Sequence, residues 1–389
     1  MFLKSGEREA MMFSKEFNEK VQMFKDASFF KHTPVTPNLS NDYTWKVLDS
    51  GYPVKKAYYD SKVMDKIVCE NHERYRFDAY LDLGTRNHFP QMDALGGGSY
   101  TLNEETGGIN VTDAPTMTAD DYDAFAENPM KWLNILFQRK FPDLTTDQFV
   151  KATMAFLQAS GFQKNIEEKF ANKYNTPTMV STSTNVSSPF EAFHSSFRGI
   201  AGISLDMRRC PDKLDNAIQA YWKGVSLGSL QRAVGNHEHS YISDVYIGLI
   251  AHAIMNGKQF DRFYWPYLKE IFDACANTGS MAYIYVESTV ARFADHFADI
   301  PVGNAMMHLE LDDLFEMRKL LPKMPLVGGL TTDMLGTADP DTCVDCAKKL
   351  IDEMGDGYVI SQNKMLSFRN DCRRENLIAV NDFVRNYVH

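Results

Sequence analysis

Six cysteines in 389 residues are too few and too scattered for a disulfide framework. Cys343-Val-Asp-Cys346 is a lone CxxC without a second pair. It lies in PDTCVDCAKKLIDEM, which reads as a helix starting near Asp339-Pro340, so its thiols read as helix packing rather than a redox or zinc pair. No apolar run approaches the roughly 20 residues of a membrane span. The opening MFLKSGEREAMMFSKEFNEK has no signal-peptide core, and the expectation is a cytoplasmic protein with no membrane partner. No Lys/Arg run offsets the net charge of −10, so the basic face that nucleic-acid binding needs is missing. No GxGxxG follows a strand. The glycines of ALGGGSY and TGGIN precede no Gly-Lys-Ser/Thr and no helix start, so they read as turn-formers in an insertion or hairpin between residues 87 and 128, a candidate lid.

What is present is a chain with 44% hydrophobic and 24% charged residues, long enough for one large core or two domains. Residues 1–30 place Met11, Phe13, Phe17, Val21 and Phe24 at helical spacing. KHTPVTPNLSND then reads as a loop, so residues 1–60 are expected to form a helical arm packed on the body or on a partner subunit, a homodimer being one outcome. Four strand–helix units end the chain. Met281–Val286 is followed by a helix over Ser288–Phe297, Val302–Leu309 by the helix LDDLFEMRKLL, MPLVGGL by the helix from Pro340, and GYVISQ by ENLIAVNDFVRNYV. Earlier, FDAYLDLG (77–84), PTMVSTS (177–183) and DVYIGLIAHA (244–253) read as strands. Alternation of this kind means a parallel sheet, and without a dinucleotide fingerprint a (β/α)8 TIM barrel over residues 61–389 is preferred.

In such a barrel the functional side chains sit at the C-terminal strand ends. One strand finishes on Glu287 and the next on His308. Alternation groups Tyr283 and Tyr285 with Glu287, and Met306 and Glu310 with His308. A carboxylate and an imidazole converging at a mouth are a zinc-type pair, although a catalytic zinc uses three protein ligands. His252 follows an apolar run and is expected at a strand end. Asn236-His237-Glu238-His239 would chelate on a strand but reads as a loop before SYISD.

FDRFYWPYLKEIFDACANTG (260–279) resembles a segment of the uroporphyrinogen decarboxylase superfamily. In order with it, SPFEAFHSSFRGIAGISLDMRRCPDKL (188–214) resembles the family's Arg-Gly segment and following helix, VGGLTTDMLGTADPDT (327–342) its seventh-strand loop and helix start, and RRENLIAVNDFV its closing helix. The resemblance spans roughly residues 60–389 and implies a (β/α)8 barrel. The decarboxylases' Arg-Gln-Ala-Gly-Arg-Tyr motif is missing; HERYRFDAY and GTRNHF do not match it. The branch implied is instead the corrinoid-dependent methyltransferases. Of these, the coenzyme M enzymes carry His-x-Cys where this chain has Tyr285 and Glu287.

A third group cleaves aryl methyl ethers and is similar in a Glu-x20-His spacing, matched by Glu287 and His308; the place of its third ligand, a Cys, is Gly329. The resemblance therefore implies removal of the methyl group of a small aromatic methyl ether and its passage to Co(I) cobalamin. No Asp-x-His-x-x-Gly signature is present, so the corrinoid is expected on a separate protein. Zinc is expected on Glu287 and His308 with the third ligand open among His252, Glu310, Asp333 and residues 362–364. Tyr283, Tyr285, His252 and Arg198 are expected around the substrate. The alternatives are a zinc-dependent methylcorrinoid:thiol methyltransferase and a non-catalytic barrel that binds a corrinoid protein.

Overall fold

In a computed structural model the chain is described over residues 13–389, apart from 87, 99, 113, 182–183 and 236–239. Seven strands, β1 (Asn38–Ser40), β2 (Ala79–Tyr80), β3 (Val245–Leu249), β4 (Ala282–Val286), β5 (Ala305–Leu309), β6 (Leu326–Leu330) and β7 (Tyr358–Gln362), pair in the order β2-β1-β7-β6-β5-β4-β3. Every pair in this sheet is parallel. The segment 177–179 joins its two edges. Thr178 bridges Tyr80 on one side and Tyr241 on the other. The Met179 N–H donates to the Tyr80 carbonyl at 2.8 Å, and the Ile242 N–H to the Thr178 carbonyl at 2.9 Å. The ring of eight extended segments closes with helices outside, which is the expected (β/α)8 barrel.

Strands buried on both faces read as continuous apolar runs, as AYIYV and AMMHL do. Their alternate side chains divide into two shells. Leu39, Ala79, Met179, Tyr283, Met306 and Val359 fill the interior. Ile284, Met307, Leu326 and Ile360 pack outward against the helices. Helix ends follow their caps. The Asp313 carboxylate accepts from the Glu316 N–H to start Leu314–Leu320. Asp339 accepts from Thr342 ahead of Pro340–Met354, where Cys343 is buried as a packing thiol. The glycine-rich insertion does contain an antiparallel hairpin, Tyr100–Leu102 with Ile109–Val111.

Three expectations are corrected. The loop expected around residues 31–42 contains β1, so a division at residue 60 cuts through the sheet. This strand is polar and three residues long, and partners rather than pattern hold it. Its Asn38 side chain donates to Asn381 of the last helix at 2.9 Å, and the Ser361 hydroxyl donates to the Leu39 carbonyl at 2.9 Å. The helix expected over Ser288–Phe297 is only a 3-10 turn at Ala291–Phe293 and one α-turn at Ala294–Phe297. The strand expected over 244–253 stops at Leu249, and a 3-10 turn carries His252.

The part that lies outside the sheet is helix α1 (Lys15–Ser28), and it packs on its own barrel. Its Phe24 is fully buried with Ala27 against the interior residues Leu39, Ala79 and Val359, closing the end of the barrel opposite the strand C-termini. Phe24→Ala is therefore expected to destabilise the protein by about 3–5 kcal/mol, since it deletes a buried ring and opens the barrel floor. Urea unfolding checks this; a loss below about 1 kcal/mol would mean that α1 is not part of the folded unit.

Candidate functional site

The strand C-termini surround a cavity of about 530 Å³. Its wall comes from the loop after β2 (Leu81, Asp82, Arg86), the segment after β2 that leads into the hairpin (His88, Met92, Tyr100), the segment 180–192 (Val180, Ser187, Glu191), and the ends of β3 and β4 (Tyr246, Ile250, Glu287). The insertion expected as a lid thus contributes one side of the mouth.

Asp82 builds the loop that carries Arg86. One carboxylate oxygen accepts the N–H groups of Thr85 and Arg86, each at 3.1 Å; the other accepts Gly84 N–H at 2.9 Å and pairs with Lys46 at 2.9 Å. Burial alone would raise the Asp82 carboxyl, but Lys46 and the three amides outweigh it and hold it below the ordinary value. The Arg86 side chain is exposed and lines the cavity. It lies 5.7 Å from the centre of the Tyr43 ring and is bonded to the Tyr246 hydroxyl. Among the described residues no carboxylate lies within ion-pair distance of it. Burial opposes its charge, and the surrounding Tyr246, Tyr43 and Asp82 more than restore it.

Glu287 ends β4 at the level of Glu310. Its N–H closes onto the Leu249 carbonyl at 3.0 Å. The next residue, Ser288, sits in the left-handed region at φ 68°, and its N–H donates to the Glu310 carboxylate at 2.9 Å. A non-glycine residue there costs on the order of 1 kcal/mol, which the Glu310 bond offsets. The Glu287 carboxyl is raised, by burial first and the neighbouring Glu310 second, against an opposing pull from Arg86. Glu191 faces the same cavity. One of its oxygens accepts the N–H groups of Ile250 and Ala251, both at 2.9 Å, and the Tyr264 hydroxyl; the other has no partner. Burial raises Glu191 to about 7, with the charge of Glu287 adding to the rise.

His308 lies one layer deeper. The parallel register sets it opposite Tyr285 and not opposite Glu287. Its Nε2–H donates to the Gln362 carbonyl at 2.9 Å, and its Nδ1 accepts from the Tyr283 hydroxyl at 2.5 Å. Burial holds it neutral, with its pKa lowered to about 4. Both ring nitrogens are thus committed, and neither has a lone pair free for a metal. A side chain at the third-ligand position would also miss the mouth: a Cβ on Gly329 would meet Leu314 and Leu350 at 2.9 Å, in the helix-facing shell. Among the described residues no three His, Cys, Asp or Glu side chains converge as a metal site. The donor set does not fit zinc on Glu287 and His308.

The remaining expected site residues disperse. Tyr285 is buried beneath the mouth, 3.4 Å from the Asn41 amide. His252 is buried in its 3-10 turn, donating to the Thr289 carbonyl at 3.1 Å and packed on Phe293, away from the cavity lining. The Arg198 guanidinium is held by Asp206 at 2.6 Å, which also accepts the Tyr122 hydroxyl, so it is a structural ion pair. The His237–His239 cluster lies outside the described residues. Sequence reasoning missed Arg86, Asp82, Glu191 and Tyr246. The available signal was DLGTR, an acid and an arginine four apart just beyond an apolar strand.

Residues 185–386 match the family model described as Uroporphyrinogen decarboxylase (URO-D). Among solved structures, a methyltransferase from Methanosarcina mazei superposes with a TM-score of 0.63 at 14% identity, covering 94% of this chain and 98% of its own; at that identity the likeness carries the fold. No curated protein matches the chain by sequence.

Zinc-loaded and desalted protein is expected to hold well under one equivalent of metal, with the same content in His308→Ala. That substitution should instead cost about 2–4 kcal/mol of stability, because it leaves the Tyr283 hydroxyl and the Gln362 carbonyl unpaired. Near-stoichiometric zinc lost in both Glu287→Ala and His308→Ala would overturn this reading of the donors.

Proposed function

Because the chain belongs to the uroporphyrinogen decarboxylase family, we propose that it is a methyltransferase that removes the methyl group of an aryl methyl ether. The observation that carries this reading is the mouth cavity. It joins a carboxyl with raised pKa, a guanidinium without a carboxylate partner and apolar wall residues such as Leu81, Met92, Val180 and Ile250. Its volume suits a small aromatic ligand.

The chemical difficulty is the leaving group. The C–O bond breaks with its electron pair on oxygen, and a phenolate is a reluctant product unless its charge is met as it forms. A Co(I) corrinoid, brought by a separate protein, supplies the methyl acceptor when it docks over the mouth. The chain's own residues do the rest. Glu287, protonated, gives its proton to the departing oxygen and leaves a phenol. Arg86 fixes the ring through an anionic or hydroxyl substituent and counters charge on the oxygen. Asp82 acts through Arg86 as a positioning residue. His308 and Tyr283 hold the layer beneath and touch no substrate. No step needs zinc.

Glu287 must be protonated to act, so its acid form is lost as pH rises through its raised pKa. The rate is therefore expected to fall on the alkaline side. Glu287→Gln removes that limb and lowers kcat by about 100-fold or more. Arg86→Gln acts chiefly on KM, because the guanidinium mainly binds. The assay follows loss of chemically reduced cob(I)alamin with a panel of methoxybenzenes and methoxybenzoates, each phenol being quantified. No phenol from any methoxyarene, with methyl transfer from methylcobalamin to a thiol in its place, would replace this reading with the thiol one. Full activity in Glu287→Gln would remove Glu287 as the donor.

A further inference from the structure

The helix Thr146–Lys173, α2 here, is amphipathic in the wrong sense. Over its first four turns it lays small residues on the body: Ala152 is buried, and Ala155 and Ala159 are half-buried on the same side. Its large apolar residues point the other way. Phe149, Val150 and Met154 are each 53% exposed, Leu157 57% and Phe156 44%. At about 100° per residue these five span an arc of roughly 160° opposite the alanines. Phe137, 38% exposed on the preceding helix, extends the ridge; its ring lies 6.4 Å from that of Phe149. A soluble chain does not leave such a ridge to water without a cover.

We propose that this ridge is the dimer interface, covered by the same ridge of a second copy of the chain. Three features select that occupant. The first is area. Large side chains carry on the order of 150–250 Å² each, so six half-exposed ones present on the order of 600 Å², close to the roughly 800 Å² that each partner contributes to a stable pair. The second is composition. Transient interfaces are no more apolar than the rest of a surface, whereas obligate homodimers are. A carrier that must bind and leave is matched poorly by Phe149, Phe156 and Leu157 together. The third is self-complementarity. A two-fold axis near Thr153 runs two copies of α2 antiparallel and sets Phe149 of one beside Leu157 of the other, so one patch serves both sides. The ridge starts at the mouth wall, where the Phe156 ring lies 5.7 Å from that of the cavity residue His88. Pairing therefore buttresses that wall. The inference itself does not depend on the methyl-transfer reading.

Light scattering and sedimentation equilibrium on the full chain at micromolar concentration are expected to give twice the 44.3 kDa chain mass. The double variant Phe149→Glu/Leu157→Glu should run as a monomer, its dissociation constant raised by at least about 100-fold, with unchanged circular dichroism and melting of the monomer. Thr153→Cys should form a disulfide-linked dimer on mild oxidation, reversed by dithiothreitol, that wild type does not form. A monomeric wild type at tens of micromolar overturns the proposal. So does a dimer that survives the two glutamates and is not cross-linked through residue 153, since it uses another face. Monomeric wild type that co-sediments with phosphatidylcholine vesicles would assign the ridge to a lipid surface instead.

Discussion

The register between β4 and β5 decides what this barrel can do at its mouth. Parallel pairing sets Tyr285 opposite His308, and alternation then carries Glu287 to the level of Glu310, one layer nearer solvent. A slip of one residue would turn Glu287 into the helix shell and break the interior packing of Tyr283 and Tyr285. The register is therefore fixed by the core, and the chemistry inherits it. The imidazole belongs to the floor, where a hydroxyl and a carbonyl complete it. The carboxyl belongs to the cavity, where burial and a second carboxyl raise its pKa.

The opposite wall is built by an ion pair rather than by packing. Lys46 and Asp82 are both buried. Such a pair is weak evidence of net stability, because desolvation consumes most of its Coulomb attraction. Here Asp82 also accepts three consecutive backbone amides. The result is a rigid turn that ends on Arg86. The stability given up for a buried charge pair goes into holding one guanidinium at a fixed place in the cavity, which is the kind of preorganisation that binding requires.

Much of the fold was legible. The apolar runs of the second half and the acid-first, base-last helix LDDLFEMRKLL state a parallel barrel plainly, because strands buried on both faces leave a continuous signal. β1 was not legible, since Asn-Leu-Ser owes its extended state to Asn381, Ser361 and its two neighbours in the sheet. At the site, Glu287 was legible as a strand end. The role of His308 was not. Spacing along one chain gives the residues but not the layer, and a layer offset of one residue pair separates a metal ligand from a satisfied core histidine. Arg86 and Glu191 sit on irregular loops that periodicity cannot reach. Arg198 was legible as a cation but not as the partner of Asp206.

The mouth also couples binding to protonation. Arg86 lowers the Glu287 carboxyl, against burial and Glu310, which raise it. A ligand that brings an anionic group to Arg86 neutralises that pull, and an aromatic ring that displaces water deepens the burial. Both changes act in the same direction and hold the proton more firmly on Glu287 while the site is filled. In the proposed reaction, charge growing on the departing oxygen makes that oxygen the better proton acceptor, and the desolvated surroundings favour its leaving as a neutral phenol. In that proposal, binding favours the acid form of Glu287 and bond breaking draws its proton away.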